Sequence, residues 1–354
     1  MGETVSADHI LETRGRHRAL DAYVVAATFS RSGKSCAFAL GDGTVAIDGG
    51  PEPTNNDSTA DWARFPAHEG AILCMATDTT PEGWITGGDD GRFYRIKADG
   101  TVNLIAPFGM RWVENVASFT DGTKTHLVAC SAGKRVVVYN AKDDELRVAD
   151  HPSTVTGLVF DAKGKRFAAS HYGGASVWFV GSKNGAPRKL EWKGSHTGVA
   201  MSPDGDNVVT AMQENALHGW RLSDNQHMRM SGYPTKPRAL SFTKNGKWLA
   251  TSGADSIVLW PFFGGGPMGK PPTELAGGDG VTCNLVACHP QSELVAAGFN
   301  DGLVVIADIS SARILPITAP GHGAISALAW SPDGSHIAIG AENGFAAVID
   351  LSKR

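Results

Sequence analysis

A short apolar run that closes on a glycine turn recurs along the chain: VAATFSRSG at 25–33, VASFTDG at 116–122, GLVFDAKG at 157–164, GVAMSPDG at 198–205, ALSFTKNG at 239–246 and ALAWSPDG at 327–334. The closing glycines are Gly33, Gly122, Gly164, Gly205, Gly246 and Gly334, and from the second to the fifth they fall 42, 41 and 41 residues apart. The two remaining gaps, 89 and 88 residues, are each two repeats long. Degenerate copies fill them, ILCMATDTTPEG at 72–83 and NLVACHPQSE at 284–293. A fixed period of this length restricts a chain to stacked or circular repeats, in which each unit buries its apolar face against its neighbours. Eight units, starting near 24, 71, 113, 155, 198, 238, 282 and 324, account for nearly all 354 residues.

The units share an internal order. The first run is followed by a second apolar strand, such as WLATSG at 248–253 or HIAIG at 336–340, and then by a tight turn. Asp42-Gly43, Asp90-Gly91, Asp301-Gly302 and Asn343-Gly344 supply the positive φ that such hairpins need. A third strand follows, for example TVAID at 44–48 or FAAVID at 345–350, and a weaker fourth leads into the next unit. No segment sustains a helical period over 11 residues. Four short antiparallel strands per unit predict an all-β, eight-bladed propeller made as one domain from the whole chain. The last unit ends at its third strand, so the segment 10–21 is expected to supply the fourth strand of blade eight and close the ring.

The turns FSRSG, MSPDG and WSPDG resemble those of the WD40-repeat family across essentially the full length. His68, His196 and His322 sit where that family places a Gly-His pair, and Trp178, Trp220 and Trp260 at its third-strand tryptophan. The chain departs from the pattern in having no Trp-Asp dipeptide, and Asp48, Asp308 and Asp350 retain only the acid. The stretch 171–272 is similar to stand-alone bacterial WD40-repeat proteins, some encoded near CobW-like zinc-chaperone GTPases. The resemblance implies an interaction scaffold without catalysis, binding a protein or peptide partner and needing no cofactor.

Charge and targeting narrow the function further. With 32 basic and 36 acidic residues and no long run of either sign, nucleic-acid binding is not expected. No window approaches 18 apolar residues and none near the start reads as a secretory signal, so neither a membrane span nor export is expected. The start, Met1-Gly2-Glu3-Thr4-Val5-Ser6, matches a loose myristoylation pattern, read here as coincidence. Five scattered cysteines read as reduced thiols, in keeping with a cytoplasmic monomer.

Catalytic motifs are missing: the chain has no G-x-S-x-G, H-E-x-x-H, P-loop, C-x-x-C or G-x-G-x-x-G. His68 is expected to hydrogen-bond Thr86 or Asp90 within its blade, a structural role shared with His322 and Trp260. Cys283, Cys288 and His289 form a C-x4-C-H group whose thiols should point to opposite faces. His218, His227 and Met230 are a weak soft-metal candidate on a hairpin, to be weighed against surface histidines on outer strands. They support the first alternative function, zinc or copper handling; the second is a propeller enzyme with a site at the channel mouth. The leading site is the top rim, where loops on a rigid scaffold gather Arg111, Trp112, His171, Tyr172, His196, Gln213, Glu214, Lys236 and Arg238. Exposed aromatics and arginines dominate protein–protein hot spots. The plain alternative is that Trp112 tucks under its own loop and the charges are merely solvated.

Overall fold

The computed structural model describes residues 8–49, 62–182 and 185–352 as a closed ring of antiparallel sheets. The Gly2 acylation pattern lies outside the described residues. The first sheet sets the plan. Val24–Phe29 lies innermost, then Cys36–Leu40, Thr44–Asp48 and Ala63–Pro66 outward. All five residues of Cys36–Leu40 are buried, because each sheet is covered on both faces by its neighbours. This is why the second and third strands read as continuous apolar runs rather than alternating ones. At the hairpin between them Gly43 takes φ 86°, and Asp42 Oδ1 accepts the Thr44 N–H at 3.1 Å.

The expected eight blades are corrected to seven. Counted by hydrogen-bonded sheets, the ring has six four-stranded sheets and one of six strands. The units starting near 155 and 198 are not separate, because Arg188–Met201 belongs to both. Its first half pairs with Gly174–Val177 and its second half with Val208–Met212, and the strand runs on between them through Gly194, which takes φ 104°. Gly157–Phe160 is the first strand of this sheet and His227–Ser231 the last.

The ring closes through its N-terminal segment. Gly15–Ala19 pairs antiparallel with Phe345–Asp350, Gly15 opposite Ile349 and Ala19 opposite Phe345. The strand is shorter than the expected 10–21, since His9–Arg14 is a short helix. Ile10 and Leu11 of that helix pack with Ile317 and Ile349. Asp8 anchors the turn before it, accepting the Ala319 N–H at 2.6 Å and bonding His322 Nε2 at 3.1 Å.

The apolar cores lie between sheets. Phe38 packs with Val348 across the closing seam, and Trp84 and Ile96 pack with Ile47 between the first two sheets. Each fully buried large side chain contributes roughly 1.5–3 kcal/mol. Near the axis the inner strands are tied by side chains donating to neighbouring carbonyls. Ser118 Oγ donates to Thr77 O at 2.6 Å, Thr77 Oγ1 to Phe29 O at 2.8 Å, and Ser326 Oγ to Val24 O at 2.7 Å. Small hydroxyl residues on the inner strands let the backbones approach closely enough for these bonds. Among the described residues no helix is long and apolar enough to cross a membrane.

Candidate functional site

On the rim of the six-stranded sheet and its neighbour lies a cleft of about 730 Å³. One wall is Asp150-His151-Pro152, where the strand Glu145–Asp150 ends. The other is built by Tyr172, Ser176 and Trp178 on Arg166–Phe179 and by Leu190 and Trp192 on Arg188–Met201. Gly173 and Gly174 take φ 87° and 138°, which brings the chain past Leu190 where a Cβ at Gly174 would strike its carbonyl. Above this turn Tyr172 is 67% exposed.

Polar contacts hold the walls. Trp178 Nε1–H donates to His151 Nε2 at 3.0 Å, so His151 carries its proton on Nδ1, facing the Lys134 carbonyl at 3.3 Å. Burial, aided by nearby His171, pushes the His151 imidazole down to about 4. It is neutral near pH 7. His171 Nδ1–H donates to the Tyr172 carbonyl at 2.9 Å, leaving Nε2 to accept the Ser176 hydroxyl at 2.9 Å. Among the described residues no carboxylate bonds this serine–histidine pair, and the arrangement braces the turn against the strand. Arg147 stacks over the Trp178 ring at 4.7 Å and donates from Nη2 to the Gly185 carbonyl at 2.7 Å.

The nine rim residues do not form one patch. Trp112 is 56% exposed rather than tucked under its loop, and Met110 beside it, which the sequence reading passed over, is 98% exposed. The Arg111 side chain lies over Gly133, and Lys134 next to it bonds His151. Tyr172 is tied to the segment after His151, its N–H meeting Ser153 Oγ at 2.9 Å. His171 is buried. His196 is fully buried, with Nδ1 2.7 Å from Thr210 Oγ1 and Nε2 donating to the Trp192 carbonyl at 3.1 Å. It supports the sheet and presents no atom to the rim. Gln213 and Glu214 are exposed on the far side of the long strand, with Lys236 Nζ donating to Gln213 Oε1 at 3.1 Å. Lys236 and Arg238 border a separate, smaller pocket.

Within the blades, His68 Nδ1–H donates to Asp90 Oδ1 and Nε2 accepts from Thr86 Oγ1, both at 2.9 Å. Trp260 Nε1–H donates to Tyr233 Oη at 2.6 Å, and Tyr233 Oη lies 2.6 Å from Thr251 Oγ1. His322 stacks on Phe345 with ring centres 4.4 Å apart.

The hairpin does not gather His218, His227 and Met230. His218 Nε2 and His227 Nδ1 are 3.0 Å apart, but Met230 pairs with Leu217 in the ladder and therefore emerges on the opposite face. It packs with Met228 in the core. Trp192 stacks on His218 at 4.0 Å, between it and the cleft. Among the described residues no group of three or more His, Cys, Asp or Glu side chains is placed to hold a metal. The cleft had a signal in the sequence: His151 follows Asp150 just before the inner run at 157, as the other rim histidines precede theirs.

Known proteins share the repeat. The family model described as WD domain, G-beta repeat matches residues 225–260, and that of the anaphase-promoting complex subunit 4 WD40 domain matches 286–354. The chain is 24% identical to THO complex subunit 3 of Arabidopsis thaliana over 243 residues, 66% of this chain and 74% of that protein. It is 21% identical to Autophagy-related protein 16 of Arabidopsis thaliana over 298 residues, 80% of this chain but only 56% of that protein. The crystal structure of the computationally designed Ika8 protein superposes with a TM-score of 0.72 at 18% identity, covering 94% of this chain and 98% of that one. Repeat spacing, blade-internal histidine and tryptophan bonds and these matches converge on a β-propeller fold similar to that of the WD40-repeat family.

Proposed function

We propose that this propeller is a non-catalytic scaffold that captures a protein or peptide partner on its rim, acting as a monomer in the cytoplasm. The carrying observation is the aromatic-walled cleft with exposed Tyr172 at its mouth, with Trp112 and Met110 exposed on a loop of the neighbouring sheet. A cleft of this volume takes a short peptide segment or a few side chains, and the exposed rings are hot-spot residue types. Complex membership, stated in the name of THO complex subunit 3, fits this use of the fold. The five free cysteines suit a reducing compartment.

The test is affinity capture from the native host with Trp112→Ala and Tyr172→Ala. Each variant should stay folded and weaken capture by roughly 1–4 kcal/mol, the usual range for truncating a hot-spot side chain. Full capture by the double variant refutes the rim reading.

A further inference from the structure

A second pocket of about 220 Å³ opens between the segment 235–238 and residues 282–284 with Asn300, away from the aromatic cleft. Its lining includes Lys236, Arg238, Thr282, Cys283, Asn284 and Asn300, with no aspartate or glutamate. Neither Lys236 nor Arg238 has a carboxylate partner among the described residues, and Lys236 Nζ donates to the neutral amide oxygen of Gln213. The Asn300 Oδ1 accepts the Thr282 N–H at 2.9 Å, which fixes the amide so that its Nδ2 donors remain unspent. Cys283 adds no negative charge, since burial pushes its thiol up to about 12. Two cations, an oriented amide and a threonine hydroxyl thus share a small concavity without an anion.

We propose that this pocket binds a small oxyanion, a carboxylate or a phosphate monoester, carried by the partner peptide. The chemistry follows from the donors: arginine and lysine make charge-assisted hydrogen bonds to either group, and the amide and hydroxyl complete its coordination. The volume accommodates one acidic side chain and excludes a bulky ligand. The inference rests on the scaffold reading for the source of the anion. Its test does not depend on the host partner.

Full-length protein is titrated with blocked tripeptides, acetyl-Ala-X-Ala-amide, where X is glutamate, phosphoserine or glutamine, and binding is followed by ligand-observed NMR. At least one acidic peptide should bind and the glutamine peptide should not; which acid binds identifies the source. Arg238→Gln and Lys236→Gln should each weaken that binding by about tenfold or more, with an unchanged melting temperature. Equal binding of the glutamine peptide, no binding of any of the three, or unchanged acid binding in the double variant overturns the proposal. A failed host pull-down with intact acid binding removes the rim reading alone.

Discussion

Replacing Tyr233 by phenylalanine removes one oxygen from a buried chain of hydrogen bonds and little else. In the intact blade that oxygen accepts the Trp260 Nε1–H at 2.6 Å and lies 2.6 Å from Thr251 Oγ1, which itself donates to the Val258 carbonyl at 3.1 Å. Tyr233 is 8% exposed, Trp260 7% and Thr251 fully buried, so water does not take the missing place. The variant strands one indole donor, at a cost of about 1–3 kcal/mol, and loses a second neutral bond worth about 1 kcal/mol. A total near 3 kcal/mol follows. A chain of this length has an unfolding entropy of about 0.7 kcal/mol/K, so the melting temperature should fall by about 4 °C. Calorimetry reads the shift. Thr251→Val should cost a similar amount. The double variant should cost less than the two singles together by about 0.5–3 kcal/mol, because both changes break one shared contact. A melting temperature unchanged in Tyr233→Phe, or strict additivity in the double variant, refutes the reasoning.

Acid should loosen the same ring elsewhere. His151 titrates at about 4 when folded, against about 6.5 in an unfolded chain, so the folded protein binds fewer protons between those values. Its stabilising contribution is complete above pH 6.5 and is lost as pH falls through 4, about 3 kcal/mol in all; His151→Gln should flatten that slope in pH-dependent melts. Deleting residues 1–19 removes the strand paired with Phe345–Asp350 and the buried Leu11, so the melting temperature should drop and the exposed edge should promote self-association by light scattering. In the intact protein the amides of Gly15–Ala19 should exchange slowly; exchange within seconds counts against the pairing. Gly174→Ala places a Cβ against the Leu190 carbonyl at φ 138°, and a loss of about 1–3 kcal/mol should appear in urea melts.

Most of the architecture is legible in the repeat because each blade solves the same packing problem. The inner run, the glycine turn and the doubly covered second strand impose the same residue types each time, so their spacing reports the ring. The count went astray where one strand carries two roles. Lys193, Gly194 and Ser195 contain no proline or Asn-Gly turn to announce a boundary, yet they contain nothing that announces its loss either. Whether the backbone runs on through Gly194 is set by the pairing of Arg188–Met201 with two different strands, a tertiary matter. The rim shows the same limit. Residue type marked Trp112 and Tyr172, both exposed, but it also marked His196, whose buried place depends on Thr210 and the Trp192 backbone. Met110 escaped notice because an apolar residue in a loop reads as a filler until its exposure is known. The soft-metal grouping failed on strand parity, for His218 and Met230 lie on opposite faces.

The strand Arg188–Met201 also bears on how such a ring can change its size. Chains of this kind grow or shrink by copying or dropping whole units, and the operation is tolerated where the junction is a loop. Between most sheets here a crossover at the connecting turn would leave every ladder intact. A crossover at 194 would leave the pairing of Gly174–Val177 with 188–191 and that of Val208–Met212 with 196–201 whole, and would break only the bridge between Tyr172 and Ser195. What the unbroken strand adds between the two units is a stiff joint in place of a loop. The aromatic cleft is built against the first of them, so its Tyr172 wall is the part that an exchange of units at this joint would disturb.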